Sequence, residues 1–259
     1  MADAALAGRR ILVTRPAAQA EGLARRIREA GGEPVCVPAI EIRDIEDLAS
    51  AHAVADALEA FGLAIFVSGN AVRRGLAILR ARRGARSWPA GLRVATVGQG
   101  SREALLAEGF AEVLAPEGRS DSEALLALPA LAPARVRGVR VAIFRGDGGR
   151  ALLGEALERR GARVSYAACY RRVRPEGGAL RAAWRAGLDA VTVTSAEGLA
   201  NLLDMLGGEA ARLAALPVFV PHARVAAEAA RRGLANARVA GPRDEEMAAA
   251  VVAYFGAPG

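Results

Sequence analysis

The sequence predicts an α/β protein made of two similar lobes, each a parallel sheet covered by helices on both faces. Three observations point there. Apolar runs of strand length alternate with amphipathic helices closed by glycine. Three such strand–helix elements occur in one order and then recur in that order. Aromatic residues make up only 4% of the chain, which leaves Ala, Leu and Val to fill the core. Strands that alternate with helices pair in parallel, and parallel sheets are buried on both faces.

The first repeated element is ILVTRPAAQAEGLARRIREAGGEPV from Ile11, echoed by VAIFRGDGGRALLGEALERRGARVS from Val141. At a constant offset of 130, Arg15 meets Arg145, Leu23 meets Leu153, Ile27 meets Leu157 and Gly31 meets Gly161. Each copy reads as a strand, a turn, a helix ending at glycine, and a second strand. The second element is LAIFVSGNAVRRGLAIL from Leu63, echoed by DAVTVTSAEGLANLLDML from Asp189, and here Ser68 meets Ser195. The third is VATVGQGSREALLAEGF from Val94, echoed by VFVPHARVAAEAARRGL from Val218. Ser101 and Val225 each stand eight residues before the glycine that closes the helix, Gly109 or Gly233. Between the copies, SDSE at 120–123 reads as a capping box opening a short helix.

Composition narrows the function. The 259 residues suit one large domain or two small ones. No apolar run approaches the roughly 18 residues of a membrane span. The opening MADAALAGRR lacks the pattern of a secretory leader. Two cysteines, Cys36 and Cys169, give no disulfide framework. A soluble cytoplasmic protein, with no membrane partner, is expected. The formal charge is +7 and every basic side chain is arginine. Such an excess attracts anions. No aromatic–basic interleaving or nucleic-acid motif accompanies it, so a small polyanion fits better than nucleic acid.

Parallel sheets bind ligands at the carboxyl ends of their strands. Those ends are Thr14-Arg15-Pro16, Ser68-Gly69-Asn70, Gly98 to Ser101, Arg145 to Arg150, Thr194-Ser195-Ala196 and Pro221 to Arg224. Small residues, glycines and hydroxyls dominate, and several lead straight into a helix. Helix N-termini present free N–H groups and partial positive charge to carboxylates or phosphates. Each end also has a plainer reading. Ser68, Ser101 and Ser195 suit helix N-caps whatever the protein does, and Arg15 and Arg145 can pair with acids. Recurrence of the same character in both copies favours an anion site. Thr14, Arg15, Ser68, Gly69, Asn70, Ser101, Arg145, Arg150, Ser195, Ala196 and His222 are the candidate binding residues.

The usual catalytic constellations are missing. RGDGGR, from Arg145, has neither the Walker A nor the GxGxxG spacing. The two histidines, His52 and His222, form no HxxxH, and no CxxC occurs, so no metal is expected. No GxSxG elbow is present. ACYRRVRP, Ala168–Pro175, carries Tyr170, one of three tyrosines. A phenol keeps its proton at neutral pH and can donate it towards a departing hydroxyl. The plainer reading is a tyrosine packed at a domain junction.

Taken together, VTRP (Val13–Pro16), VSGNAV (Val67–Val72), VGQGS (Val97–Ser101), LERRGARV (Leu157–Val164), YRRV (Tyr170–Val173), TSAEGLANL (Thr194–Leu202) and HARVAAEAARRG (His222–Gly233) resemble the uroporphyrinogen-III synthase family. The resemblance covers about Gly8 to Tyr254 and rests on order, spacing and duplication. It implies two α/β lobes joined by a two-stranded linker, with the substrate cleft between them. The discontinuous lobe is expected to hold residues 1–37 and 173–259, and the other 38–172, with crossings near 37–42 and 170–174. The implied reaction converts hydroxymethylbilane, a linear tetrapyrrole polycarboxylate, to uroporphyrinogen III. The terminal ring is inverted, water is lost, and no cofactor or metal takes part. Tyr170 matches the tyrosine thought to assist hydroxyl departure, and a monomer is expected. The departure from the family pattern is Val225, where a hydroxyl often stands, so His222 or Arg224 would substitute. A non-catalytic two-lobed protein that binds a tetrapyrrole or carboxylate is the competing reading.

Overall fold

A computed structural model gives the structure of residues 5–118, 121–148 and 151–256. The chain opens with β1 (Arg10–Val13), α1 (Ala17–Glu29), β2 (Glu33–Cys36) and β3 (Glu41–Arg43). α2 (Ala49–Asp56), β4 (Leu63–Phe66), α3 (Gly69–Arg83), β5 (Arg93–Thr96) and α4 (Gln99–Ala107) follow. Two short helices, α5 (Ser122–Leu126) and α6 (Pro133–Val136), precede β6 (Arg140–Gly146), α7 (Leu152–Arg159) and β7 (Arg163–Val173). The last part holds α8 (Gly178–Arg185), β8 (Ala190–Thr192), α9 (Ala196–Leu206), β9 (Val218–Val220), α10 (Ala223–Arg231), β10 (Ala237–Val239) and α11 (Asp244–Gly256). No helix among the described residues is long and apolar enough to cross a membrane.

The chain divides after Glu41 and after Arg172 into two units. Residues up to 41 and from 173 onward form the first. Its sheet has the order β10-β9-β8-β1-β2, and every pairing in it is parallel. Alternation along β1 feeds two cores. Ile11 and Val13 pack with Leu23 and Ile27 of α1 and with Met247 and Val251 of α11. Leu12 packs on the other face with Leu180 and Trp184 of α8 and Leu199 and Leu202 of α9. The buried stripe of α1, Ala20, Leu23, Ala24 and Ile27, has the spacing of one helix face.

Residues 42–172 form the second unit, with strand order β3-β7-β6-β4-β5. The pairings β4–β5, β4–β6 and β6–β7 are parallel. Phe66 and Phe144 stack at 4.5 Å under α3. Gly75 lets that helix settle onto them, because a Cβ there would lie 2.9 Å from the Phe144 ring. Val141 and Ile143 face the opposite core, with Leu125 of α5 and Leu153 and Leu157 of α7. The divisions of the chain fall within β3 and just before the last residue of β7, two strands that neighbour each other.

The sequence repeat equates β1 with β6, β2 with β7, β8 with β4, and β9 with β5. The sheets then read β9-β8-β1-β2 and β5-β4-β6-β7, one order written twice. Leu114 bridges in parallel to Ala95 of β5 and stands where β10 stands in the other sheet. Each sheet takes two strands from one copy of the repeat and two from the other.

Two capping assignments differ from the sequence reading. The cap of α5 is Asp121, whose carboxylate accepts the Ala124 N–H at 2.8 Å. Ser120 lies outside the described residues. The cap position of α4 is Gly98, and Ser101 is the third residue of that helix. A backbone already extended at Gly98, φ −157°, starts the helix three residues before the hydroxyl.

Candidate active site

At the carboxyl edge of the second sheet, β4 runs into Ser68, Gly69 and Asn70. Ser68 is extended (φ −166°), and its oxygen accepts the Ala71 N–H at 3.1 Å, which makes it the N-cap of α3. The Tyr170 hydroxyl lies 3.0 Å from the same oxygen. The ring is 3% exposed, among Phe66, Phe144 and Ala71. One serine thus joins a helix N-terminus to a phenol. Nothing stands within 4 Å of a Cβ built at Gly69 or Gly100, so a ligand can reach the backbone at the starts of α3 and α4. Asn70 is buried, and its side-chain oxygen accepts from Arg73.

Arg145 closes this edge. Its guanidinium carbon is 4.8 Å from the centre of the Tyr166 ring, and its Nε donates to the Gly146 carbonyl at 3.3 Å. It has no carboxylate partner among the described residues. Burial pushes the Tyr166 phenol above its ordinary value, and Arg145 opposes that shift. Burial also pushes the Cys169 thiol up to about 12, so it is no nucleophile at neutral pH. Arg150 lies outside the described residues.

The first sheet's edge is built from the equivalent positions with different chemistry. The Thr14 hydroxyl donates to the Thr192 carbonyl at 2.8 Å, and the Thr192 hydroxyl donates to the Leu12 carbonyl at 3.0 Å. Both threonines are buried, so the Thr14 side chain is committed to the sheet. Arg15 forms an ion pair with Asp244 at the start of α11, and its side chain is 13% exposed. Its Nε is buried with no hydrogen-bond partner among the described residues. Ser195 caps α9 by accepting the Gly198 N–H at 3.0 Å. At the position matching Tyr170 stands Ile40, whose Cδ1 would lie 3.9 Å from a Cβ built on Gly198 of the same helix.

Ala196, the first residue of α9, is exposed. His222 occupies the cap position of α10 without capping it, and its side chain is exposed. Val225 is buried in the core, so its lack of a hydroxyl reflects packing. Sequence reasoning missed Asp244, which neutralises Arg15 from 229 residues away. It also passed over Gly146, although a glycine ending a strand is a signal for close approach. Among the described residues, no three His, Cys, Asp or Glu side chains are grouped to hold a metal ion.

A family model described as uroporphyrinogen-III synthase HemD matches residues 21–249 of the chain. The chain belongs to the uroporphyrinogen-III synthase family. It is 36% identical over 201 residues to the uroporphyrinogen-III synthase of Salmonella typhimurium, a match covering 75% of this chain and 79% of that one. Identity to the Escherichia coli uroporphyrinogen-III synthase is 34% over 202 residues, covering 76% and 79%. Two solved structures share the fold. A mutant uroporphyrinogen III synthase of Thermus thermophilus superposes with a TM-score of 0.63 at 17% identity, over 94% of this chain and 97% of that one. A uroporphyrinogen-III synthetase of Helicobacter pylori gives 0.59 at 13% identity, over 95% and 99%. In this member of the synthase family, the two sheet edges have diverged: one pairs a phenol with a capping serine, and the other sets an isoleucine there.

Proposed function

We propose that the chain is a uroporphyrinogen-III synthase, a cyclising lyase of tetrapyrrole biosynthesis, and that the second sheet's edge carries its chemistry. The observation behind this reading is the match of the family model across residues 21–249. The substrate is hydroxymethylbilane. Its hydroxyl leaves as water when the adjacent pyrrole pushes electrons outward, giving an electrophilic azafulvene. The terminal ring attacks through its substituted carbon to form a spiro intermediate. That intermediate fragments, recloses with the ring inverted, and loses a proton. The product is uroporphyrinogen III.

Such a substrate brings most of its own reactivity, and the enzyme's part is orientation. Tyr170 is assigned to donate its proton to the departing hydroxyl, supported by its place beside Ser68. The open helix starts at Ser68-Gly69-Asn70, Ser101 and Ser195-Ala196, with His222, are assigned to the acetate and propionate groups. Arg145 is the strongest candidate cation, because it forms no ion pair with a carboxylate among the described residues. Thr14 and Arg15 are assigned through their backbone N–H groups, since their side chains are engaged within the protein. Arg150 is retained from its place in the RGDGGR sequence. No cofactor or metal enters this scheme, and the enzyme is taken to act as a cytoplasmic monomer.

The test is an isomer assay. Hydroxymethylbilane is generated in situ, the purified protein is added, and the product is oxidised and separated by chromatography. Predominantly type III porphyrin is expected. Type I alone, formed at the rate without protein, would refute the assignment.

A further inference from the structure

Alternate side chains of a strand point to opposite faces of its sheet. On β7, Val164 and Tyr166 lie beside Val141 and Ile143, on the α7 face. Ala167 lies beside Phe144, on the α3 face. Arg145 then pairs with Ala168. Were that register to continue, Tyr170 would stand opposite Asp147, on the α7 face and away from Ser68. Instead the register shifts, and Tyr170 stands opposite Gly146. Cys169 and Tyr170 consequently both pack into the α3-side core. One extra residue in β7 has turned the phenol across the sheet, as bulges beside functional sites do. The Asp147 N–H donates to the Tyr170 carbonyl at 2.7 Å and fixes the shifted pairing.

The Tyr170 ring then lies directly over Gly146. A Cβ at Gly146 would fall 2.8 Å from Cε2 of that ring, a contact real Cβ atoms essentially never show, and 3.0 Å from Cζ, so the ring would have to shift. The first copy of the repeat has Pro16 at the place of Gly146 and Ile40 at the place of Tyr170. The arrangement therefore belongs to one sheet alone.

We propose that Gly146 is a positioning residue: together with the bulge at Cys169, it gives the Tyr170 ring the space that sets its hydroxyl beside Ser68. This rests on the reading of Tyr170 as the proton donor. The test compares Tyr170→Phe, Gly146→Ala and the double variant by kcat, KM and Tm, with Tyr170→Ala as a second background. Gly146→Ala is expected to lower kcat roughly ten- to a hundredfold while KM stays within about twofold. In the Tyr170→Phe background it should cost no more than about a further twofold, because the hydroxyl it aims is gone. It should lower Tm in the native background and leave Tm unchanged beside Tyr170→Ala, where the ring is absent.

A native kcat for Gly146→Ala overturns the inference. So does an equal loss of Tm with and without the ring, which would give Gly146 a backbone role only. Should Gly146→Ala alone fail to fold, the Tm of Gly146→Ala/Tyr170→Ala against Tyr170→Ala decides. An unchanged kcat for Tyr170→Phe overturns the proton-donor reading instead, and the Tm comparison still decides on Gly146.

Discussion

Replacing Tyr170 by phenylalanine removes one oxygen and leaves the ring in place. The ring is 3% exposed, so the core keeps its volume and the fold persists. The lost bond is the 3.0 Å contact with Ser68, whose oxygen retains the Ala71 N–H. A net cost of about 1 kcal/mol in stability follows. The kinetic cost is set by donation to an oxygen that gains charge as its bond to carbon breaks. A hydrogen bond to such a group contributes about 1.5–3 kcal/mol, which converts to roughly a 10- to 150-fold loss in kcat. Residual product should still be type III, because inversion depends on how the chain is held. The isomer assay with initial rates measures both quantities. Unchanged turnover would remove Tyr170 from the chemistry. A loss of activity accompanied by a collapse of cooperative unfolding would show that the ring site had been disrupted, and the hydroxyl argument would fail.

Other outcomes follow from the two sheet edges. Ser68→Ala and Ser195→Ala should each lose about 1 kcal/mol of stability with their caps, read by denaturant melts, while Ser68→Ala alone should also lower kcat, since only Ser68 touches a phenol. Arg145→Gln should raise KM with little change in Tm, whereas Arg15→Gln should lower Tm by leaving partly buried Asp244 without its cation; steady-state kinetics and calorimetry distinguish them. Thiol labelling at pH 8 should modify solvent-exposed Cys36 first and Cys169 only on unfolding, because a thiol at about 12 is ionised on the order of one part in ten thousand at that pH. Rapid labelling of both thiols in the folded protein would contradict the burial of Cys169.

Much of this architecture is legible in the chain because the relevant signals are local. Glycine after a helix, as at Gly31 and Gly161, marks its end, and both have the positive φ that such ends need. Ser68 and Ser195 announce caps through residue type alone. What escapes the sequence is geometry fixed at long range. Asp244 neutralises Arg15 across 229 residues, and the inward turn of the Thr14 hydroxyl depends on a carbonyl of β8. The register shift before Gly146 leaves no mark on composition, yet it decides which face Tyr170 occupies. Caps misassigned by one to three residues, at Ser120 and Ser101, show that a hydroxyl in the right neighbourhood does not fix where a helix begins.

The exchange of strands between the repeat's copies has a consequence for ancestry and for fragment behaviour. A half-length chain carrying one run of β–α elements holds two or three of the five strands of each sheet and can complete neither by itself. It could finish its sheets only by trading strands with a second molecule of its own kind. The present chain is what gene fusion of such a strand-trading pair would leave behind. Cut between the copies, near Gly118, the two fragments should regain their sheets only when mixed, each serving as the template on which the other folds.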